Sequence, residues 1–368
     1  METQTARRGK DVKQQDYCVF RYQPQSDPQS RVFRIEDRES SSGCDHPALF
    51  RVGRAEVDVS FAITAGEVSK ESTKIQDIEV FKENLSKNRT DFDTVGTSRL
   101  VPELAKDMRD HKADVLCFIP GFNHTFRESI KQAALIAALY SKPKSTSLIA
   151  ALFSWPSDGS LSIGGYLSDR TDAELSGLAI ARTMNRLSSL YHKLARERAS
   201  EDECGQNIHL VAHSMGVHAL RHALEKYPCL HGARVVRFFD TAILAAADTE
   251  RDALERTDKM ALLARLAKSV HCYINDKDKA LEWGDEFVGP PDRLGSYGPY
   301  QSNILQTFGV PLSIIDCRGA VTASDLKQHQ YYRKSYKVIS DVIEAINGCR
   351  GDEFTHRMYD ENRGIYTL

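Results

Sequence analysis

Six short runs of apolar residues, most of them separated by segments of helical periodicity, set the strongest limit on what this chain can fold into. The runs span 115–119, 147–153, 208–212, 235–246, 270–274 and 312–315. They are nearly continuous rather than alternating, which suits strands buried on both faces of a parallel sheet. The intervening segments 125–140, 172–198, 215–227 and 251–268, and the final one at 331–346, read as helices. In 172–198, Leu175, Leu178, Met184, Leu187, Tyr191 and Leu194 recur at helical steps and make one apolar face. Strands alternating with helices imply an α/β architecture: a mostly parallel central sheet, right-handed crossovers and helices on both faces.

What precedes this pattern differs in character. Residues 1–45 are rich in Ser, Gln, Arg and Asp and read as a polar leader, flexible at least in part. Between 50 and 63 the alternation of apolar and polar residues is that of a half-exposed strand, expected antiparallel at a sheet edge. The remainder to 110 is charged, with a helix predicted over 101–111. The main α/β region is thus expected over 46–348, its first part (46–110) forming edge strands and a helix, with 349–368 as a C-terminal tail.

A net charge of −2 across 368 residues, with no basic stripe interleaved with aromatics, gives no reason to expect a nucleic-acid partner. No apolar segment follows the first basic residues as a signal peptide requires, and no stretch is long enough for a transmembrane helix. Eight cysteines are scattered singly, without a C-x-x-C pair, and Cys117, Cys272 and Cys317 fall inside strand-like runs. Buried thiols in a reducing cytoplasm are therefore expected.

The run Ile208-His209-Leu210-Val211-Ala212-His213-Ser214-Met215-Gly216 carries the chemistry. An apolar strand enters a serine flanked by small residues and leaves as a helix, the context of a nucleophile elbow. The usual first glycine is Ala212, while Gly216 keeps the second. After the strand at 115–119, the loop Pro120-Gly121-Phe122-Asn123-His124 offers backbone amides, so the amides of Met215 and Phe122 are the expected oxyanion-hole donors. Gly121, Asn123, Trp155 and Tyr166 are the expected pocket residues, a Trp-Pro pair at a strand exit making a rigid wall.

A serine nucleophile needs a base, and the base an orienting acid. His329 follows the last predicted strand and precedes the final helix, where the histidine of such a fold belongs; His356, in the tail, is the alternative base. Asp278, Asp276 and Asp248 each end a predicted strand and are candidate acids, although Asp at such a place also serves as a helix N-cap. His218 and His222 are four apart on a helix, yet Ala219 stands where a zinc H-E-x-x-H motif needs glutamate. No metal and no other cofactor is expected.

Pro120-Gly121-Phe122-Asn123-His124-Thr125-Phe126, Phe153-Ser154-Trp155-Pro156-Ser157, Tyr166 with Asp169, Ala212-His213-Ser214-Met215-Gly216, Ala246-Ala247-Asp248 and Asp278-Lys279-Ala280-Leu281 together resemble the motif series of a bacterial α/β-hydrolase family of unknown function, domain-of-unknown-function family nine hundred, in the esterase/lipase superfamily. The resemblance covers 52–346. It implies an α/β-hydrolase fold with Ser214, Asp278 and His329 at the positions of a Ser-Asp-His hydrolase, while the residues themselves are read as those of a serine hydrolase cleaving a small-molecule ester or related acyl bond. Pro120 stands where the family usually has histidine, which bears on the oxyanion loop. The competing expectation is a catalytically silent hydrolase fold used for binding or assembly.

Overall fold

A computed structural model describes residues 7–8, 12–20, 51–81, 95–142, 146–157, 162–198, 205–231, 235–288, 292–300, 304 and 308–368. In chain order the strands are β1 Arg7–Arg8, β2 Val12–Phe20, β3 Arg51–Thr64, β4 Glu67–Val80, β5 Ala113–Ile119, β6 Ser147–Ser154, β7 Ile208–His213, β8 Phe239–Ala245, β9 Ala267–Ile274, β10 Leu312–Asp316, β11 Met358–Asp360 and β12 Ile365–Thr367. The helices are α1 Val95–His111, α2 Phe126–Tyr140, α3 Ile163–Arg198, α4 Met215–His231, α5 Leu263–Leu266, α6 Lys279–Val288, α7 Leu294–Tyr297, α8 Tyr331–Lys334 and α9 Tyr336–Ile346.

The strands form one sheet in the order β1-β3-β2-β6-β5-β7-β8-β9-β10-β12-β11, with β4 hydrogen-bonded to β3. From β2 through β12 every neighbouring pair is parallel; only the outer pairs are antiparallel. This is the α/β fold, with its mostly parallel sheet, that the strand-helix alternation requires.

Both faces of the central strands are buried, as their continuous apolar character demands. In β5, Val115, Cys117 and Ile119 face a core that includes Leu100, Leu104 and Met108 of α1 and Ile180, Met184 and Leu187 of α3. Leu116 and Phe118 face the opposite core, with Ile130 and Ile136 of α2 and Val338 and Val342 of α9. The same two-residue alternation divides Leu210 and Ala212 from Val211 in β7. Side chains on a strand point to alternate faces, so each central strand contributes to two cores at once.

The structure departs from the sequence expectations at both ends of the sheet. The polar leader supplies β1 and β2, and β2 is inserted between β3 and β6. The strand beginning at Arg51 is not an edge: it has β2 on one side and β4 on the other. β4 escaped the sequence reading because its Lys, Glu, Ser and Asp residues leave one weak apolar stripe. Ala65 and Gly66, both at positive φ, close the β3–β4 hairpin in a two-residue turn.

The tail is likewise built into the sheet. β12 lies parallel to β10, pairing Ile315 with Tyr366 and Asp316 with Thr367, and β11 folds back on β12. The expected helix over 251–268 is instead a single 3-10 turn at Arg251–Leu254, a series of turns and the short α5. Asp258 pairs with Arg256 at 2.9 Å within these turns. The last predicted helix breaks at Ser335, whose extended backbone and side-chain oxygen cap α9. Among the described residues, no helix is long and apolar enough to cross a membrane.

Candidate active site

β7 lies at the middle of the parallel sheet, and at its carboxyl end the chain turns into α4 through Ser214. The serine has φ 53°, in the left-handed region that β-carbon sterics normally exclude. Hydrogen bonds to β8 and its exit loop hold it there: Ser214 N donates to Ala245 O at 3.0 Å, and Asp248 N donates to Ser214 O at 3.1 Å. Two residues on, the helix passes so close to the end of β5 that a Cβ on Gly216 would lie 2.5 Å from Pro120 O and nearer still to Ile119 O. No side chain fits there. Ala212, by contrast, is accommodated in the core, so the elbow's departure from two glycines costs nothing visible.

His329 and Asp278 converge from two other loops. His329 Nδ1 lies 2.7 Å from Asp278 Oδ2, and both groups are buried. The other oxygen, Asp278 Oδ1, accepts the amides of Ala280 at 3.0 Å and Leu281 at 3.2 Å at the start of α6. Asp278 is therefore helix cap and histidine partner together, one oxygen for each. The loops are tied to each other as well: Asn275 Nδ2 donates to Gln328 O at 2.9 Å, and Lys279 N to Lys327 O at 3.0 Å. Gln328, at φ 55°, delivers His329 into place.

Burial alone would depress the His329 imidazole, but the charge of Asp278 and its hydrogen bond outweigh that and leave the group above its ordinary value. His213, next to the serine, is the opposite case. It stacks on Tyr332 with ring centroids 4.3 Å apart and lies 4.7 Å from the His329 ring. Burial, then the neighbouring His329, holds it well below the ordinary range.

The other two candidate acids have different partners. Asp248 accepts from Tyr166 Oη at 2.5 Å and faces Arg293 Nε at 3.2 Å and Arg170 Nη1 at 3.4 Å. Asp276 pairs with Arg318 at 3.0 Å near the surface. His356 lies in the tail ahead of β11, in neither of the loops that meet at Asp278.

The loop after β5 is braced from several directions. Trp155 Nε1 donates to Pro120 O at 2.9 Å, and a Cβ on Gly121 would lie 3.0 Å from Ser214 Cβ. Asn123, at φ 62°, donates its amide to Ser157 Oγ at 2.7 Å, and His124 N reaches the same oxygen at 3.3 Å. Ser157 in turn donates to Asp169. Phe122 meets Tyr166 edge-on at 5.2 Å, and Tyr166 meets Trp283 edge-on at 5.5 Å, a row of aromatic rings beside the elbow.

Of the expected site residues, Gly121 lies against Ser214, Trp155 holds Pro120, Asn123 is tied to Ser157, and Phe122 packs on Tyr166. Site residues that the sequence reading did not single out are Asn275, Trp283 and Arg293. Arg293 gave no signal, since it comes from a loop far along the chain and is recognisable only by its buried contact with Asp248. Asn275 gave a local one: a polar residue at the end of an apolar strand, where loop-organising side chains sit.

Among curated proteins, no relative matches the chain. The family model described as "Alpha/beta hydrolase of unknown function (DUF900)" matches residues 98–346. That span takes in the loops that carry Pro120, Ser214, Asp278 and His329 and more than half of the chain, and with the parallel sheet and the elbow it shows that the chain belongs to this family of α/β hydrolases.

Proposed function

We propose that the protein is a serine hydrolase that cleaves a carboxylic ester or a related acyl bond, with Ser214 as nucleophile, His329 as general base and Asp278 as the orienting acid. The observation that carries this reading is the 2.7 Å contact of His329 Nδ1 with Asp278, with the His329 ring 4.7 Å from that of His213, the residue preceding a serine held at φ 53° on a strand-to-helix turn. A proton on Nδ1, donated to the carboxylate, leaves the Nε2 lone pair to accept the hydroxyl proton as Oγ attacks the substrate carbonyl. The raised pKa then lets the imidazolium form and return that proton to the departing alkoxide. Water, activated by the same nitrogen, releases the acyl group from Ser214.

The developing oxyanion needs two amides. Met215 opens α4, where the first amides have no intrahelical acceptor. Phe122 precedes two amides already committed to Ser157. Pro120 has no N–H to give, but its carbonyl is the atom Trp155 holds, so the proline takes part in shaping the hole. The aromatic row Phe122–Tyr166–Trp283 supplies an apolar wall for a small acyl ester. No cofactor enters this chemistry. A cytoplasmic location fits the described cysteines Cys117, Cys229, Cys272, Cys317 and Cys349, all of them free.

Turnover of a simple aryl ester tests the reading. Ser214→Ala should lower it on the order of 10⁴-fold or more with the fold intact by circular dichroism, because members of such a unit fail together. A Ser214→Ala protein within about tenfold of wild type would exclude the mechanism.

A further inference from the structure

Behind the elbow, one face of α3 and one face of α4 enclose an open cleft of about 540 Å³. Leu167, Arg170, Thr171 and Glu174 line it from α3, and His218, Arg221, His222 and Glu225 from α4, each set at helical spacing. The helices touch closely at Gly177, where a Cβ would come 2.8 Å from the backbone carbon of His222. That approach brings Glu174, one turn before the glycine, level with the two histidines.

We infer that Glu174, His218 and His222 form a zinc-binding site that fastens α3 to α4. One ligand atom from each residue can be chosen so that all three lie within 4.8 Å of one another. Tetrahedral zinc, with bonds of about 2.0–2.2 Å, needs its ligands roughly 3.4 Å apart. Glu174 is exposed and free to swing inward by that difference, and water completes the coordination.

The independent sign is His218. It is 4% exposed, it lines the cleft, and neither ring nitrogen has a hydrogen-bond partner. Buried polar groups are almost always satisfied, so an imidazole with two idle nitrogens facing a cleft asks for a ligand. His222 is already oriented for the task. Its Nδ1 lies 3.1 Å from Glu225 Oε2, the carboxylate contact that fixes the tautomer of a metal-bound imidazole and leaves Nε2 as the donor atom. Imidazole and carboxylate together suit zinc better than magnesium or calcium. The sequence expectation of no metal rested on Ala219, which would hold the glutamate of a single-helix motif; here the carboxylate comes from the neighbouring helix instead.

Arg221 makes the assignment sharper. Its Nη1 lies 2.8 Å from His222 Nε2, the atom zinc would use, and 3.2 Å from Nδ1, while its Nε faces Glu250 at 3.4 Å. Zinc must displace the guanidinium from the ring, leaving it to Glu250, so Arg221 weakens the site.

Calorimetric titration of the full-length protein, stripped with a chelator, with zinc alone tests this without reference to hydrolysis. One zinc per chain is expected, with a rise in melting temperature that grows with zinc concentration. His218→Ala and His222→Ala should each weaken binding by at least about a hundredfold and Glu174→Gln by at least about tenfold, whereas Arg221→Ala should tighten it. Cobalt in place of zinc should give the visible absorption of a tetrahedral site. Glu174 is exposed, so its variant reports even if a histidine variant fails to fold. Absence of stoichiometric zinc binding, unchanged affinity in Glu174→Gln, or stabilisation by inorganic phosphate in place of zinc would overturn the assignment.

Discussion

Two buried histidines, with ring centroids 4.7 Å apart, must behave differently for the proposed chemistry to run. Burial, then the neighbouring His329, holds His213 well below its ordinary value despite a backbone hydrogen bond to His329 O, while Asp278 lifts His329 above the ordinary 6.5. A general base works only when neutral. Hydrolysis should therefore rise with pH through an inflection above 6.5, the value to be read from kcat/KM against pH. In Asp278→Asn the lifting charge is gone and burial remains, so the inflection of the residual activity should move below that of wild type. Turnover near neutrality should also fall on the order of 10⁴-fold. Asp248→Asn, whose partners are Tyr166, Arg170 and Arg293, should change turnover by less than about tenfold. An active Asp278→Asn enzyme with an unmoved profile would transfer the acid role elsewhere.

At the scale of elements, the elbow is a packing solution between three strands. β7 delivers Ser214, β8 holds its backbone, and the end of β5 closes on Gly216 until there is no room for a methyl. Gly216→Ala should therefore cost at least about 3 kcal/mol in chemical denaturation or fail to fold, since the methyl meets backbone rather than a movable side chain. Ala212→Gly should stay within about 1 kcal/mol of wild type, which the same denaturation curves would show. The elbow and the loops at Pro120 and Asp278 could be read in the sequence because their signals are local: a strand, a small residue and a helix in fixed order. β4 and the turns after Arg251 could not. β4 gains its place from pairing with β3, and its charged side chains resemble those of a solvated loop.

Across the whole molecule, the two ends of the chain are built into the sheet whose middle carries the site. The tail is fastened by Arg357, which reaches Asp341 of α9 at 2.7 Å, while Tyr273 of β9 donates to the same carboxylate at 2.6 Å. Asp341 is fully buried, so Arg357→Ala leaves a charge without its counter-ion and should lower stability by about 3–5 kcal/mol, a loss that thermal unfolding would reveal. None of this was visible as pattern. The continuous apolar runs separated by helices from 115 onward announce a parallel sheet, but the leader and tail are polar and join it through backbone pairing, which has no sequence period to detect. The site follows the same division, with Ser214 and Asp278 marked by their loops and Arg293 by nothing local.

The central claim is that one serine of this chain is activated by its surroundings. Labelling with a fluorophosphonate, followed by intact-mass measurement and peptide mapping, asks that question directly. A single adduct on Ser214, absent from Ser214→Ala and slowed in His329→Ala, is the expected result. An unlabelled wild-type protein, or an adduct on another serine that survives Ser214→Ala, would contradict the account and favour a hydrolase fold retained for binding.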